Sequence, residues 1–332
     1  MLEKINASQE CSLYRMDGKG AVECIIASTP DTRAITNDPK VMGMEYTRRL
    51  ENACAAILKS LDEEEITCLE ESQTIVFNIL RGGLNFCLRE ALAAAFGWNG
   101  HGSSFISAQR ARDDDSPEQW HIVESDYSKV YMPRTASIVI GDVVATGTSL
   151  EHAMKALVAE AEKQGAELKS IVFFTIGSPR AAEILETTDA MCRKSFPEYK
   201  GTTLVYLDGC FTVPVPETPL QIKITGTDLL RLDAVMAPEF IGAQFEDPAF
   251  PIQRCTIYDA GSRAFWVREY LEDLEDYWSK VEALAKEGVT FEAFVLERCP
   301  IVDPEAYGPV DLALVAKDQL AWARKMLSKY GG

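Results

Sequence analysis

The chain has 332 residues, with 33 Lys and Arg against 51 Asp and Glu, giving a formal net charge of −18. At 47% hydrophobic and 25% charged it has a globular composition, which excludes wholesale disorder. The acidity argues against a nucleic-acid polymer as partner, because phosphate backbones need clustered Lys and Arg.

In chain order, residues 23–27 (Glu-Cys-Ile-Ile-Ala) read as a short strand. Residues 41–61 place Met44, Leu50, Ala53, Ile57 and Leu61 at helical spacing and predict an amphipathic helix. The acidic run Asp62-Glu63-Glu64-Glu65 then predicts a solvated helix end or loop. From 74 to 210 the pattern alternates. Strands are expected at 74–80, 104–107, 137–140, 171–176 and 203–207, and helices at 84–96, 150–164 and 179–186. This alternation predicts an α/β domain built on an open, mostly parallel twisted sheet flanked by helices. Ligands bind such sheets at the carboxyl ends of the strands. Residues 211–253, with Val213-Pro214-Val215-Pro216, predict an inserted loop or small subdomain. Residues 266–288 and 310–327 predict helices. The organisation expected is thus an α/β domain over 1–266, carrying that insertion, and a helical C-terminal extension over 267–332.

No apolar run reaches the roughly 18–20 residues of a membrane-spanning helix. The start, Met-Leu-Glu-Lys-Ile-Asn, lacks the basic-then-apolar pattern of a secretory signal, so a cytoplasmic protein with no membrane partner is expected. Nine cysteines, no two of them three apart, fit reduced and mostly buried thiols rather than a zinc or redox motif. Three histidines argue against a His-rich metal site.

The segment richest in chemistry is Gly141-Asp142-Val143-Val144-Ala145-Thr146-Gly147-Thr148-Ser149, between a buried strand and a helix. It reads as a phosphate cradle. Gly147 admits backbone geometry that other residues resist, and the N–H groups opening the helix point at an anion. Thr146, Thr148 and Ser149 add hydroxyl donors, while Asp142 can accept from sugar hydroxyls or bind a metal through water. A second segment, Asn78-Ile-Leu-Arg81-Gly82-Gly83-Leu84, ends a strand with one Arg and two Gly. Arg81 can pair with phosphate oxygens, and the glycines let backbone approach them. A third holds Arg110 and Arg112, followed by Tyr127-Ser128-Lys129, and a fourth is Tyr258-Asp259-Ala260-Gly261-Ser262-Arg263-Ala264-Phe265.

Together and in this order, these four segments resemble the type I phosphoribosyltransferase family, in its uracil phosphoribosyltransferase-like branch. The 141–149 segment resembles that family's phosphoribosyl pyrophosphate (PRPP) motif of two acids, two spacers and Ala-Thr-Gly-Gly-Thr/Ser. Here Gly141 stands at the first acid and Thr148 at the second glycine, so Asp142 is a carboxylate displaced by one residue. The 78–84 segment resembles the pyrophosphate loop Ile-Leu-Arg-Ala-Gly-Leu. The 258–265 segment resembles Gly-Asp-Ala-Gly-Asp-Arg-x-Phe, with Tyr258 and Ser262 as its departures.

The resemblance implies transfer of 5-phosphoribosyl from PRPP to uracil or a related base, with Mg²⁺ carried mainly by PRPP and release of pyrophosphate. It implies catalytic roles for Asp259 and Arg81. PRPP contacts would come from Arg81, Gly82, Arg110 (Arg112 as runner-up), Asp142, Val143, Val144, Ala145, Thr146, Gly147, Thr148, Ser149 and Asp259. Gln253, Tyr258 and Ala260 would line the base. A hairpin hood carrying Tyr127 and Lys129 would close over PRPP and exclude water. A homodimer is expected. The competing expectation is a PRPP- or nucleotide-binding regulator on the same fold without turnover.

Overall fold

An N-terminal antiparallel hairpin, β1 (Leu2–Ala7) and β2 (Ser12–Met16), runs back along β3 (Glu23–Ser28). The computed structural model describes residues 2–18, 20–80, 82–112, 120–124, 127–224, 228–256 and 260–330. After β3 come α1 (Pro30–Asn37) and α2 (Met44–Glu63). Thr29 starts α1 with a capping box: its Oγ1 accepts from the Thr32 N–H at 2.9 Å, and Thr32 Oγ1 accepts from the Thr29 N–H at 2.8 Å.

The alternating core follows. It comprises β4 (Thr74–Leu80), a short 3₁₀ turn (Gly82–Phe86), α3 (Leu88–Phe96), β5 (Gly102–Ser107), β6 (Gln109–Arg112), β7 (Trp120–Glu124) and β8 (Ser128–Lys129). It continues with β9 (Thr135–Val144), α4 (Thr148–Gln164), β10 (Glu167–Gly177), α5 (Arg180–Ser195) and β11 (Gly201–Thr212). The chain ends with β12 (Leu230–Met236), α6 (Pro238–Ala243), α7 (Ala260–Phe265), α8 (Val267–Lys286), α9 (Phe291–Arg298) and α10 (Leu312–Tyr330).

Among the described residues ten strands form one sheet, ordered β1-β2-β3-β11-β10-β9-β4-β5-β8, with β12 paired to β11 off this path. The run β3-β11-β10-β9-β4-β5 is parallel, and the antiparallel strands lie outside it. This is the open, mostly parallel sheet that the alternation predicts. Ile171 to Gly177 of β10 are all buried, as expected where helices cover both faces of a strand. Each of its Ile, Val and Phe side chains contributes roughly 1.5–3 kcal/mol of burial.

Two local expectations change. The 84–96 helix begins only at Leu88. Phe86 is drawn fully into the core, and the chain turns through Cys87 at φ +45° before the alanine-rich helix proper. The 179–186 helix continues to Ser195. Thr187 and Thr188 look like breakers, but their hydroxyls bond back to the Glu183 and Ile184 carbonyls, at 3.2 and 2.9 Å, and fit within the helix.

The 211–253 segment contributes β12 and α6, and returns to α1 through Gln244 Nε2, which donates to Asn37 Oδ1 at 2.7 Å. The helices after 266 join the same hydrophobic core as the sheet. Tyr270 Oη donates to Pro39 O at 2.7 Å and Tyr277 Oη to Ile252 O at 2.6 Å, so α8 is fastened to loops from both halves of the chain.

Candidate active site

The site is built where parallel strands end. β4 and β9 pair in register, Thr74 with Ser137 through Val76 with Val139, so their carboxyl ends emerge together. The 3₁₀ turn after β4 lies directly on the end of β9. A Cβ at Gly82 would come within 2.9 Å of Asp142 Oδ1, and one at Gly83 within 2.9 Å of the Gly141 carbonyl. At Gly83 the clash would be with backbone, so only glycine lets the turn approach the strand this closely. In return, any side chain at Gly141 would overlap the Phe86 ring. The position where the family pattern carries its first acid is therefore filled from the neighbouring turn. Asp142 remains as the carboxylate at this strand end, and its Oδ1 accepts from the Val143 N–H at 2.9 Å.

Gly147 occupies the left-handed region, φ +79°, as the N-terminal cap of α4. A Cβ there would overlap Ile184 and come within 2.9 Å of Arg180 Cγ, so glycine is required on two counts. The loop is held from below by β10. Ser178 Oγ donates to Ala145 O at 2.6 Å, and the Ser178 N–H to Val144 O at 2.8 Å. Thr146 Oγ1 is buried with no hydrogen-bond partner among the described residues. A cavity of about 420 Å³ opens beside it, lined by Ala145, Thr146, Ser178, Arg180 and Thr212 among others. Ser149 Oγ donates to Ala108 O at 3.3 Å, which ties the start of α4 to the end of β5. Arg180 at the rim pairs with Glu183 at 2.7 Å and Glu151 at 3.3 Å. Lys155 foremost, and then Arg180, hold the Glu151 carboxyl below its ordinary range.

The other motif segments gather around this edge. β6 and β7 pair with each other, Arg110 opposite Ile122 and Arg112 opposite Trp120, and both pack on α4. Tyr127 and Lys129 are exposed beside β5: the Ser107 N–H donates to Tyr127 O at 2.8 Å, and Lys129 pairs with Phe105. α7, which begins at Ala260, packs against the 3₁₀ turn and α2. Gln253 is turned inward; it is 3% exposed and is not among the residues lining the open cavity. Arg81, Tyr258 and Asp259 lie outside the described residues. Sequence reasoning missed Phe86, Ser178 and Arg180. Ser178 and Arg180 belong to a Gly-Ser-Pro-Arg turn at the end of a predicted strand, which was the available signal. Phe86 had none, since its partner is a missing side chain.

Residues 44–198 match the sequence model of the phosphoribosyl transferase domain. That match supports a phosphoribosyltransferase, an enzyme of the pentosyl-transferring class, and leaves the acceptor open. No curated protein matches the chain. Among solved structures, a hypoxanthine-guanine phosphoribosyltransferase from Bacillus anthracis is 15% identical, covering 42% of this chain and 72% of its own, with a TM-score of 0.26. A hypoxanthine phosphoribosyltransferase from Trypanosoma cruzi is 14% identical over 60% and 95%, with a TM-score of 0.25. An adenine phosphoribosyltransferase from Thermoanaerobacter pseudethanolicus is 16% identical over 48% and 85%, also with a TM-score of 0.25. Likenesses this distant carry no argument about the acceptor.

Proposed function

We propose that the protein transfers the 5-phosphoribosyl group of Mg·PRPP to a ring nitrogen of a nucleobase-like acceptor, uracil or a related base, releasing pyrophosphate. One observation carries the reading: the turn after β4 lies against the carboxyl end of the adjacent strand β9, from which the 145–149 loop leaves, with Gly82 against the Asp142 carboxylate. A sugar gripped at its terminal phosphate by one turn would then hold its leaving group against the other. In this reading the N–H and hydroxyl groups of residues 145–149 bind the 5-phosphate, and Asp142, with Val143 and Val144 behind it, faces the ribose hydroxyls. Arg81, the Gly82 backbone and Arg110 take the pyrophosphate. Asp259 orients the acceptor and offsets positive charge on the ribose ring. Tyr258 and Ala260 border the base, with Gln253 behind them, and Tyr127 and Lys129 belong to the hood. The work is mostly positioning and electrostatic stabilisation. Mg²⁺, carried mainly by PRPP, would supply charge neutralisation to the departing pyrophosphate.

The test is pyrophosphate release from Mg·PRPP across a panel of bases, with Arg81→Ala as control. Release with one base, and weakened PRPP binding in Arg81→Ala, is the expected result. PRPP affinity unchanged in Arg81→Ala would overturn the assignment. A second reading, a PRPP-binding regulator, is favoured by the Phe86 ring standing where a first acid would be. Tight PRPP binding with no release for any base would decide for it.

A further inference from the structure

A small cavity of about 10 Å³ lies between α1, the 253–256 segment, α7 and α8. Its walls include Asn37, Gln253, Thr256, Arg263 and Tyr270. Three of these carry buried polar atoms with no hydrogen-bond partner among the described residues: Asn37 Nδ2, both Oε1 and Nε2 of Gln253, and Thr256 Oγ1. Asn37 is 3% exposed, Gln253 3% and Thr256 2%, so bulk solvent does not reach them. Four such atoms, on residues that line one void, would each carry the full desolvation cost of an unmade hydrogen bond.

The geometry points to a resident water molecule at this site. The volume is that of a single water-sized occupant, and internal waters take two to four polar partners. The chemistry selects water over an ion. Asn37 Nδ2 and Gln253 Nε2 are donors and need an acceptor, whereas Gln253 Oε1 is an acceptor and needs a donor. An anion satisfies only the first two, and a cation only the third. Water serves both, and the Thr256 hydroxyl can turn to either role. Arg263 also lines the cavity, and two of its five N–H groups go to Val41 O at 2.6 Å and Asp38 O at 2.7 Å; what selects water beside it is the volume, which holds one water-sized occupant and no polyatomic anion. The water links the end of α1 to the 253–256 segment, in a place where no direct side-chain bond joins Asn37 to Gln253 or Thr256 among the described residues.

The test is a high-resolution crystal structure of the full chain grown with sodium bromide, collected at the bromine edge, together with the same measurement on Thr256→Val. The expected result is one solvent peak without anomalous signal, within hydrogen-bond distance of Gln253, Thr256 and Asn37 in the parent, and weakened or displaced in the variant. An anomalous peak at the site would overturn the inference in favour of an anion, and an empty cavity in the parent would overturn it outright. Oxygen-17 relaxation dispersion in solution gives a readout independent of the lattice. The parent should hold one more long-lived water than Gln253→Met, and equal counts would contradict the assignment.

Discussion

At the scale of single residues, Gly141 and Phe86 explain each other. Replacing Gly141 with Asp restores the acid of the family pattern but drives it into the Phe86 ring. Overpacking of this kind costs about 1–3 kcal/mol, and denaturant unfolding of Gly141→Asp should show a loss of that order. Phe86→Ala alone should cost about 3–5 kcal/mol, and the pair Gly141→Asp with Phe86→Ala should lose less than the sum of the two single changes. Thr146 behaves in the opposite way. Its Oγ1 has no partner among the described residues, so Thr146→Val should leave the melting temperature unchanged or raised. PRPP should bind that variant roughly tenfold more weakly by calorimetry, the loss of one charge-assisted hydrogen bond. Asp208 is fully buried and accepts from Ser28 at 2.7 Å, Thr32 at 2.8 Å and Thr36 at 2.7 Å. Burial outweighs these donors and pushes its carboxyl from 3.8 up to about 6. Between those values the folded chain holds more protons than the unfolded one, so this group's contribution to stability falls as pH rises from about 4 to about 6 and is flat above. Asp208→Asn removes that fall. Its stability should gain on the parent across this window by up to about 3 kcal/mol, measured by urea unfolding at a series of pH values.

At the scale of elements, the parallel sheet was legible because β4, β9, β10 and β11 are apolar runs separated by helical spacing. The cradle was legible because strand, acid, hydroxyls and helix follow one another without interruption. The bend at Cys87 was not, since a tertiary contact overrides the local preference of an alanine-rich run. Nor was the role of Arg263, which belongs to the fourth motif but works as a clamp. It is 1% exposed, its guanidinium lies over the rings of Tyr46 and Tyr270, and two of its N–H groups hold the 38–41 turn. Arg263→Met keeps the volume and leaves two buried carbonyls without their donors. It should cost about 3 kcal/mol, read as a lowered urea midpoint with unchanged slope. An unchanged midpoint would mean that the turn holds itself.

At the scale of the whole molecule, the proposed function asks a chain of net charge −18 to bind a polyanion. In that reading attraction comes from the start of α4 and the arginines of the site, whereas the net negative charge repels at long range until salt screens it. The association rate of PRPP should therefore rise severalfold as ionic strength increases from roughly 0.01 to 0.15 M. A rate that falls would mean that the local field dominates the approach. The glycine contacts at the sheet edge bear on a different property. Gly83 rests on the Gly141 carbonyl, main chain against main chain, whereas Gly82 faces the Asp142 carboxylate, so the backbone contact at Gly83 is the one that sets how close the turn lies to the end of β9. That contact has none of the give that rotamers provide. A stiff bisphosphonate of matching length should lock in, while analogues one methylene shorter or longer should be rejected sharply, as by a gauge block rather than a spring clip.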